Sequence, residues 1–279
     1  MEKPLLSVVC TAFNHEPYIR DCLEGFVTQR TNFEFEVVIN DDASHDNTAV
    51  IIREYEQKYP NIIKPVYQNE NQYSKKVGLW RTILFPRAKG KYIALCEGDD
   101  CWTDPLKLQK QVDFLEANPQ FSFCGHLVRR INAVGEVIDE PKLKRGDCYF
   151  SKNEVFHQYF RTLSIVFRNV KLPYNPSLSK VFNGDIVLQS LLAIQGKGAI
   201  LNMIGGSYRM HEGGVYSSNS IIKNQIKSIK TRRVLMSQSF FTFDQKLHLW
   251  IEIMRRKRNC LKSCIKESRY NEILSVIFC

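Results

Sequence analysis

The segment that decides the fold is KYIALCEGDD, residues 91–100, in which an apolar run leads directly into a cluster of acids. The run over 91–96 is typical of a strand covered on both faces, as in a parallel sheet. Similar runs occur over 5–12 (LLSVVCTA) and 35–40 (FEVVIN), each followed by a helical pattern. Strands alternating with helices predict right-handed crossovers and an α/β fold, with a mostly parallel sheet flanked by helices.

Weaker local signals complete the prediction. A helix is expected near 79–88, and Ser44 is expected to cap the helix that carries Val50 and Tyr55. Ser151 and Glu154 form a capping box for a short helix. The region after Ser217 shows only helical periodicity.

Polar residues stand at the carboxyl ends of the three buried strands, where ligands bind in open α/β sheets. The first strand end carries Thr11, Phe13 and Asn14, the second carries Asp42, and the third carries Glu97, Gly98, Asp99 and Asp100. Clustered carboxylates need a compensating cation or hydrogen-bond donors. The acids of the third strand end can point towards one Mg²⁺ or Mn²⁺, which would leave coordination sites for a nucleotide diphosphate. Taken singly, Asp42 or Asp100 also fits a helix cap or a turn former.

Four motifs together resemble the family 2 glycosyltransferases, which are inverting enzymes with the GT-A fold. They are SVVCTAFNHEPYI at 7–19, NDDASHDNT at 40–48, GKYIALCEGDDCWTDPLKL at 90–108 and YRMH at 208–211. The resemblance covers about residues 5–217. It implies a Rossmann-like GT-A domain over 1–217. The charge and helical periodicity of the remaining residues predict a basic, amphipathic helical extension over 218–279.

The resemblance also implies roles for individual residues. The donor nucleotide sugar would be bound by Thr11, Phe13, Asn14, Asp42, Glu97, Gly98 and Asp99, with Asp42 on the base. Asp99 matches the metal ligand of the family's D-x-D element, and Glu97 replaces the usual first aspartate of that element. His211 matches a further metal or diphosphate contact, although a surface or helix-capping histidine is the open alternative.

An inverting transfer also needs a base that takes the proton of the acceptor hydroxyl. Asp185, in FNGDIV at 182–187, is the candidate, and Gly184 stands where the family usually has Glu. The alternative is an aspartate favoured by the helix dipole. Trp102 and Asp100 are candidate contacts to the acceptor or the sugar, but a Trp that covers the sheet edge fits equally well.

The charge of +10 is concentrated at the end of the chain. From residue 221 onward there are 13 lysines and arginines against four acids, at helical spacing with residues such as Ile222, Ile226 and Ile229. Such helices bind anionic membrane surfaces, so residues 221–279 are expected to make a peripheral membrane contact. The alternative is a helical cap that shows its charged side to water.

Composition excludes several other classes of protein. The chain of 279 residues is 44% hydrophobic, which is enough for a substantial core and argues against disorder. We see no apolar stretch long enough to span a membrane and no secretory signal, so a cytoplasmic location, peripheral at the inner face of the plasma membrane, is expected. The nine cysteines are expected to be buried thiols, with a zinc site as the minor alternative.

The sequence therefore predicts a glycosyltransferase that moves a sugar from a nucleotide-diphosphate donor, a UDP-sugar by resemblance, to a saccharide or lipid-linked acceptor. Envelope polysaccharide synthesis, whether of lipopolysaccharide, capsule or exopolysaccharide, is the expected setting. Two alternatives are a sugar nucleotidyltransferase, although the Gly-rich loop after the first strand is missing, and a nucleic-acid-binding protein. Nucleic acid is not an expected partner, since acidic strand ends repel a polyanion.

Overall fold

The computed structural model describes residues 3–214, 220–266 and 276. The chain divides into two compact units, the first comprising 1–149, 160–171 and 198–210, and the second comprising 150–159, 172–197 and 211–279. The expected boundary at residue 217 falls outside the described residues.

A ten-stranded mixed sheet forms the centre of the fold. Its strands are β1 (Leu6–Ala12), β2 (Phe35–Asp41), β3 (Ile63–Tyr67), β4 (Tyr92–Glu97), β5 (Cys101–Trp102), β6 (Phe121–Ile131), β7 (Val137–Asp139), β8 (Cys148–Phe150), β9 (Val166–Arg168) and β10 (Lys197–Arg209). The main order is β3-β2-β1-β4-β9-β6-β10-β5, with β7 beside β6 and β8 beside β10.

The half of the sheet formed by β3, β2, β1 and β4 is parallel, as the sequence predicts. Antiparallel strands extend it, because β9 runs against both β4 and β6, and β5 runs against β10. Strands β1 and β2 are buried almost throughout, which fits their unbroken apolar runs.

Helices α1 (Ile19–Val27), α2 (Thr48–Lys58) and α3 (Lys107–Ala117) belong to the first unit. Together with β1, β2 and β4 they form its main apolar core, in which Phe26 and Leu108 are fully buried. Six of the eight cysteines in the described part of the chain are buried, which confirms that most behave as apolar side chains.

Two local predictions for this unit are wrong. Instead of a regular helix at 79–88, only Trp80–Leu84 is helical, as one π-helical turn. Ser44 does not cap α2, because its hydroxyl oxygen accepts a hydrogen bond from the backbone N–H of Asn14. The residue that precedes α2 is Asn47, which makes no side-chain cap.

The second unit is largely helical, with α4 (Gly184–Gln195), α5 (Ile221–Met236) and α6 (Phe243–Lys266). The predicted capping box is confirmed: Ser151 and Glu154 exchange hydrogen bonds before a short 3-10 helix. Ile222 and Ile229 of α5 are fully buried in this unit. Their expected role on a membrane-facing surface is therefore wrong.

None of the helices within the described ranges combines the length and the hydropathy that a membrane crossing requires.

Candidate functional site

The ends of three parallel strands lie side by side, in register. Thr11 of β1 pairs with Asn40 of β2 on one side and with Glu97 of β4 on the other. Beyond the strands, the backbone N–H of Gly98 donates to the carbonyl oxygen of Thr11 at 2.9 Å, and that of Asp42 donates to Ala12 at 2.9 Å. The polar residues predicted at these three strand ends are thus brought to one edge of the sheet.

The loops after β1 and β2 are locked together. Asn14 has a positive φ of 53°. Its backbone N–H donates to the Ser44 hydroxyl, and its side-chain oxygen accepts from the backbone N–H of His45, both at 2.9 Å. Phe13 is 38% exposed and packs edge-on against the His45 ring. The two loops thus expose part of the Phe13 ring. The hydrogen bonds between the loops fix the backbone next to it.

Asp42 is almost fully buried, and both of its carboxylate oxygens accept hydrogen bonds. One accepts from the backbone N–H of Gln72 and the other from that of Tyr73, each at 2.9 Å. The side chain therefore holds the loop after β3 against the strand ends. Each carboxylate oxygen can accept more than one hydrogen bond, so Asp42 can hold this loop and also contact a ligand.

The acidic turn after β4 packs very closely on α1. A Cβ atom at Gly98 would lie 2.9 Å from both the His15 ring and Ile19, so any larger residue would force these side chains to shift. Asp99, whose side chain is 19% exposed, has a carboxylate oxygen 3.9 Å from Nε2 of His15. The turn thus directs Asp99 to the accessible side of the sheet edge, beside a histidine that the sequence analysis did not single out.

Asp100 and Trp102 are structural residues of this unit. Asp100 is buried and accepts the backbone N–H of Arg209 at 2.9 Å. Trp102 is only 4% exposed, its indole N–H donates to the carbonyl oxygen of Leu163, and its ring packs edge-on against Phe26. The geometry of Trp102 therefore corresponds to the alternative interpretation, in which the ring covers the sheet edge, because burial leaves no ring face for a sugar.

Burial raises the pKa of Asp100 well above its ordinary value, and the neighbouring charges of Asp99 and Glu97 raise it further. The hydrogen bond from Arg209 and the positive charge of Arg161 act in the opposite direction. The carboxylates are therefore only partly compensated by the protein, and a cation at this edge would be favoured.

Arg209 is a buried residue that the sequence analysis missed, although it lies within the quoted YRMH motif. Its guanidinium donates to the backbone carbonyl of Asp99 at 3.0 Å, to that of Ala133 at 3.1 Å, and to the Asp21 carboxylate at 2.7 Å. One side chain thus joins the acidic turn, α1 and the turn after β6. Its buried cation supplies part of the compensation that the sequence analysis expected from a bound ion or a ligand.

Arg161 and Tyr208 form a second cationic group near the same turn. The Arg161 guanidinium lies 4.3 Å from the centre of the Tyr208 ring. Burial, followed by the charge of Asp100, raises the pKa of Tyr208 to about 12. Tyr208 therefore remains a neutral hydroxyl at physiological pH.

Asp185 and His211 belong to the second unit and are described within it. Asp185 is the second residue of α4, and burial raises its pKa, while the backbone N–H of Ile186 and the charge of Arg232 oppose that rise. The carbonyl oxygen of His211 accepts a hydrogen bond from Gly214 at 3.2 Å. The base role of Asp185 and the metal role of His211 stay predictions.

The donor chemistry of the acidic turn fits a hard divalent cation. Within residues 3–214, 220–266 and 276, no three His, Cys, Asp or Glu side chains are close enough together to hold a metal ion by themselves. Mg²⁺ and Mn²⁺ sites on nucleotide enzymes commonly use one or two carboxylates and complete their coordination with phosphate oxygens and water. Asp99 and Glu97 can supply those carboxylates.

The sequence profile described as "Glycosyl transferase family 2" matches residues 7–170, which include all three strand ends. The chain belongs to glycosyl transferase family 2. The family predicted from the four motifs is confirmed, and the matched region contains Asp42 and Asp99 but neither Asp185 nor His211.

Two curated relatives show how similar known proteins are to this chain. An uncharacterized protein of Mycobacterium bovis is 37% identical over 221 residues, which are 76% of this chain and 61% of that protein. The chain thus spans less than two thirds of that relative. The Escherichia coli protein WfaP, named UDP-Glc:alpha-D-GlcNAc-diphosphoundecaprenol beta-1,3-glucosyltransferase, is 26% identical over 81% of this chain and 86% of its own length.

Solved structures confirm the GT-A fold. Staphylococcus aureus TarS (residues 1–349) in complex with UDP-GlcNAc has a TM-score of 0.65 at 17% identity, over 90% of this chain and 72% of that one. The mannosyltransferase PcManGT of Pyrobaculum calidifontis, in complex with GDP-Man and Mn²⁺, has a TM-score of 0.63 at 14% identity, over 95% and 76% of the two chains.

Proposed function

We propose that this protein is an inverting glycosyltransferase that transfers a sugar from a UDP-sugar to a hydroxyl of a saccharide or lipid-linked acceptor. The observation that carries the proposal is the in-register meeting of three strand ends, where Thr11, Asp42 and the turn at 97–100 share one edge. Ligands of open α/β sheets bind outside the carboxyl ends of the strands. The family match over this region supports the same assignment.

In this proposal the nucleotide lies across the strand ends. Asp42 accepts from the base, and Thr11, Phe13 and Asn14 line the nucleotide side, where Phe13 offers an exposed ring. Glu97 and Gly98 contact the ribose and diphosphate region. Asp100 and Trp102 do not touch the substrate but hold the turn through Arg209 and Leu163.

Asp99 would hold Mg²⁺ or Mn²⁺, with Glu97 beside it, and the metal or diphosphate contact of His211 stays a prediction from the resemblance. The metal, when bound, neutralises the charge that develops on the departing diphosphate. A solved GT-A structure that contains GDP-Man and Mn²⁺ supports this metal class.

Asp185 would take the proton of the acceptor hydroxyl, because an inverting displacement requires a base on the face opposite the leaving group. Its raised pKa makes the carboxylate a stronger base than an exposed aspartate. The cell-envelope setting and the lipid-linked acceptor are supported by the activity for which WfaP is named. A peripheral contact between residues 221–279 and the inner face of the plasma membrane is part of this proposal.

The test is a screen of sugar nucleotides with Mn²⁺, in which release of nucleotide diphosphate and transfer to acceptor are measured separately. We expect Asp99→Ala to lose both activities at least a hundredfold. Asp185→Ala should lose transfer by a similar factor, since positioned acid–base groups typically contribute 10² to 10⁴ in rate.

Asp113→Ala is the matched control, because Asp113 is an exposed acid on α3 that only accepts a hydrogen bond from Gln109. It should retain the parent's activity. Parent-like transfer by both Asp99→Ala and Asp185→Ala would refute the assigned roles, and release of inorganic diphosphate from a nucleoside triphosphate would indicate a nucleotidyltransferase instead.

A further inference from the structure

Helix α6 carries apolar side chains on its solvent-facing side as well as on its buried side. The exposed ones, here called the α6 stripe, are Phe243, Leu247, Trp250, Ile251 and Met254. Their spacing of four, three, one and three residues places them on one face of the helix over three turns. Phe243 is 80% exposed and Trp250 is 49% exposed.

The buried side of α6 packs against α5 in the core of the second unit. Ile253 packs with Ile229 of α5, and Cys260 and Cys264 pack with Ile222. The α6 stripe is therefore not needed for this core. Contiguous exposed apolar side chains of this size indicate an interaction surface, whereas single exposed ones do not.

Basic side chains continue the same face towards the C-terminal end of α6. Arg258 follows Met254 by four residues, Lys262 follows Arg258 by four, and both are exposed. The helix contains seven lysines and arginines against two acids. One of those acids, Glu252, is fully buried and paired with Arg255 and Arg256, so it does not offset the exposed charge.

We infer that the α6 stripe lies on an anionic lipid bilayer, with Trp250 at the headgroup level and Arg258 and Lys262 against the lipid phosphates. An apolar face joined to a basic one is the pattern of helices that lie in the membrane interface. A second copy of the chain fits this surface less well, since pairing would bring two tails of strong positive charge together. This inference rests on the membrane contact included in the proposed function and names the surface that would make it, but it does not depend on the proposed catalytic residues.

The membrane contact is thus assigned to α6 and not to the apolar residues of α5. The apolar residues of α5 that suggested membrane binding, Ile222 and Ile229, are inside the second unit. The contact surface is instead the side of α6 that faces away from α5's buried isoleucines.

The test is co-sedimentation of the whole protein with vesicles of phosphatidylcholine that contain 30% phosphatidylglycerol, against pure phosphatidylcholine. We expect binding to the anionic vesicles only, with a blue shift of tryptophan emission that Trp250→Phe removes. Leu247→Gln with Met254→Gln should weaken binding at least tenfold. Arg258→Gln with Lys262→Gln should weaken it about fivefold per charge removed.

Ile221→Gln is the matched control, because Ile221 is an apolar residue on α5 outside the stripe that is even more exposed than Leu247 and Met254. It should bind within twofold of the parent, and all variants should keep the parent's far-ultraviolet circular dichroism. Equal loss in the control, no shift of Trp250 emission, or a lipid-free dimer that the stripe variant dissociates would overturn the inference. The assay contains no sugar nucleotide, so an inactive enzyme that still binds vesicles refutes the proposed function alone.

Discussion

In each unit one buried ion joins several neighbours by hydrogen bonds, and these two ions have opposite sign. In the first unit it is the cation Arg209, which donates to two backbone carbonyl oxygens and to the Asp21 carboxylate. In the second it is the anion Glu252, which accepts from Arg255 and Arg256. Around each of these two ions, the charged groups leave an excess of the opposite sign.

The sign of that excess matches the ligand proposed for each unit. Near Arg209, the acids Glu97, Asp99 and Asp100 outweigh the nearby cations enough to raise the pKa of Asp100, in addition to the effect of burial. Near Glu252, burial first and then Arg256 lower the pKa of Arg232 to about 9. The charge around the acidic turn is thus in negative excess, and the charge around Glu252 is in positive excess.

The largest effect is expected from Arg209→Met, which removes the cation that joins the acidic turn to α1. The turn would lose its counter-charge, and the carbonyl oxygens of Asp99 and Ala133 would lose their donor. Asp21 is exposed and becomes hydrated when Arg209 is removed, so it adds little to the cost. A buried acceptor that loses its donor costs about 1–3 kcal/mol, and we expect about 4 kcal/mol because two carbonyl oxygens are left at once. Urea unfolding measures this free energy.

Arg130→Met is the control for that experiment. Arg130 pairs with Asp139 at the surface, where an ion pair contributes about 0–1 kcal/mol. Equal losses in the two variants would mean that Arg209 does not support the turn, and the contrast between the units would fail.

A somewhat smaller effect is expected from Glu252→Gln in the second unit. The change leaves the buried Arg232 with Asp185 as its remaining acidic neighbour. We expect a loss of about 3 kcal/mol at neutral pH, since Arg255 is half-exposed and can turn to water. Burial alone would raise the pKa of Glu252, but Arg255 and Arg256 lower it below its ordinary value. The stability it contributes is therefore present above pH 4.5 and lost as the pH falls through the folded-state pKa.

The measurement is urea unfolding of parent and Glu252→Gln between pH 3 and pH 7. The difference between them should shrink as the solution becomes acidic. A difference that stays constant over this range would show that Glu252 acts through packing and not through its charge.

The parallel half of the sheet and its edge were predictable because the relevant signals are local. Unbroken apolar runs specify strands buried on both faces, and parallel pairing necessarily brings their carboxyl ends together. Thr11, Asp42 and Asp99 could thus be assigned to one edge from the order of the strands alone. Gly98 belongs to the same edge, because the turn that contains it lies close to α1.

The roles of Arg209 and the α6 stripe depend on contacts between residues far apart in the sequence. Arg209 has partners at positions 21, 99 and 133, which only the folded chain brings together. A helix with apolar residues on two faces does not reveal which face the core will cover. Ser44 illustrates the same limit, because a distant amide, that of Asn14, takes the hydroxyl that local rules assign to a cap.

The smallest effect concerns Lys107, a buried cation in the first unit that lacks the carboxylate partner Arg209 has. Its ammonium lies 3.8 Å from the centre of the Trp102 ring and, among the described residues, finds no hydrogen-bond acceptor. Burial lowers the pKa of Lys107 from 10.5 to about 7. The folded state therefore binds one proton fewer than the unfolded state between pH 7 and 10.5, so its stability rises with pH in that window.

We expect Lys107→Met to be more stable than the parent at pH 7, and this advantage should fall by about 2 kcal/mol between pH 7 and pH 9, since each pH unit contributes about 1.4 kcal/mol. Urea unfolding at both pH values measures it, with Lys110→Met as the control because Lys110 is exposed and paired with Asp104. A pH-independent advantage would mean that the buried ammonium is already stabilised by its surroundings. The first unit would then tolerate an isolated cation, and the rule that each buried ion requires partners of opposite charge would not hold in it.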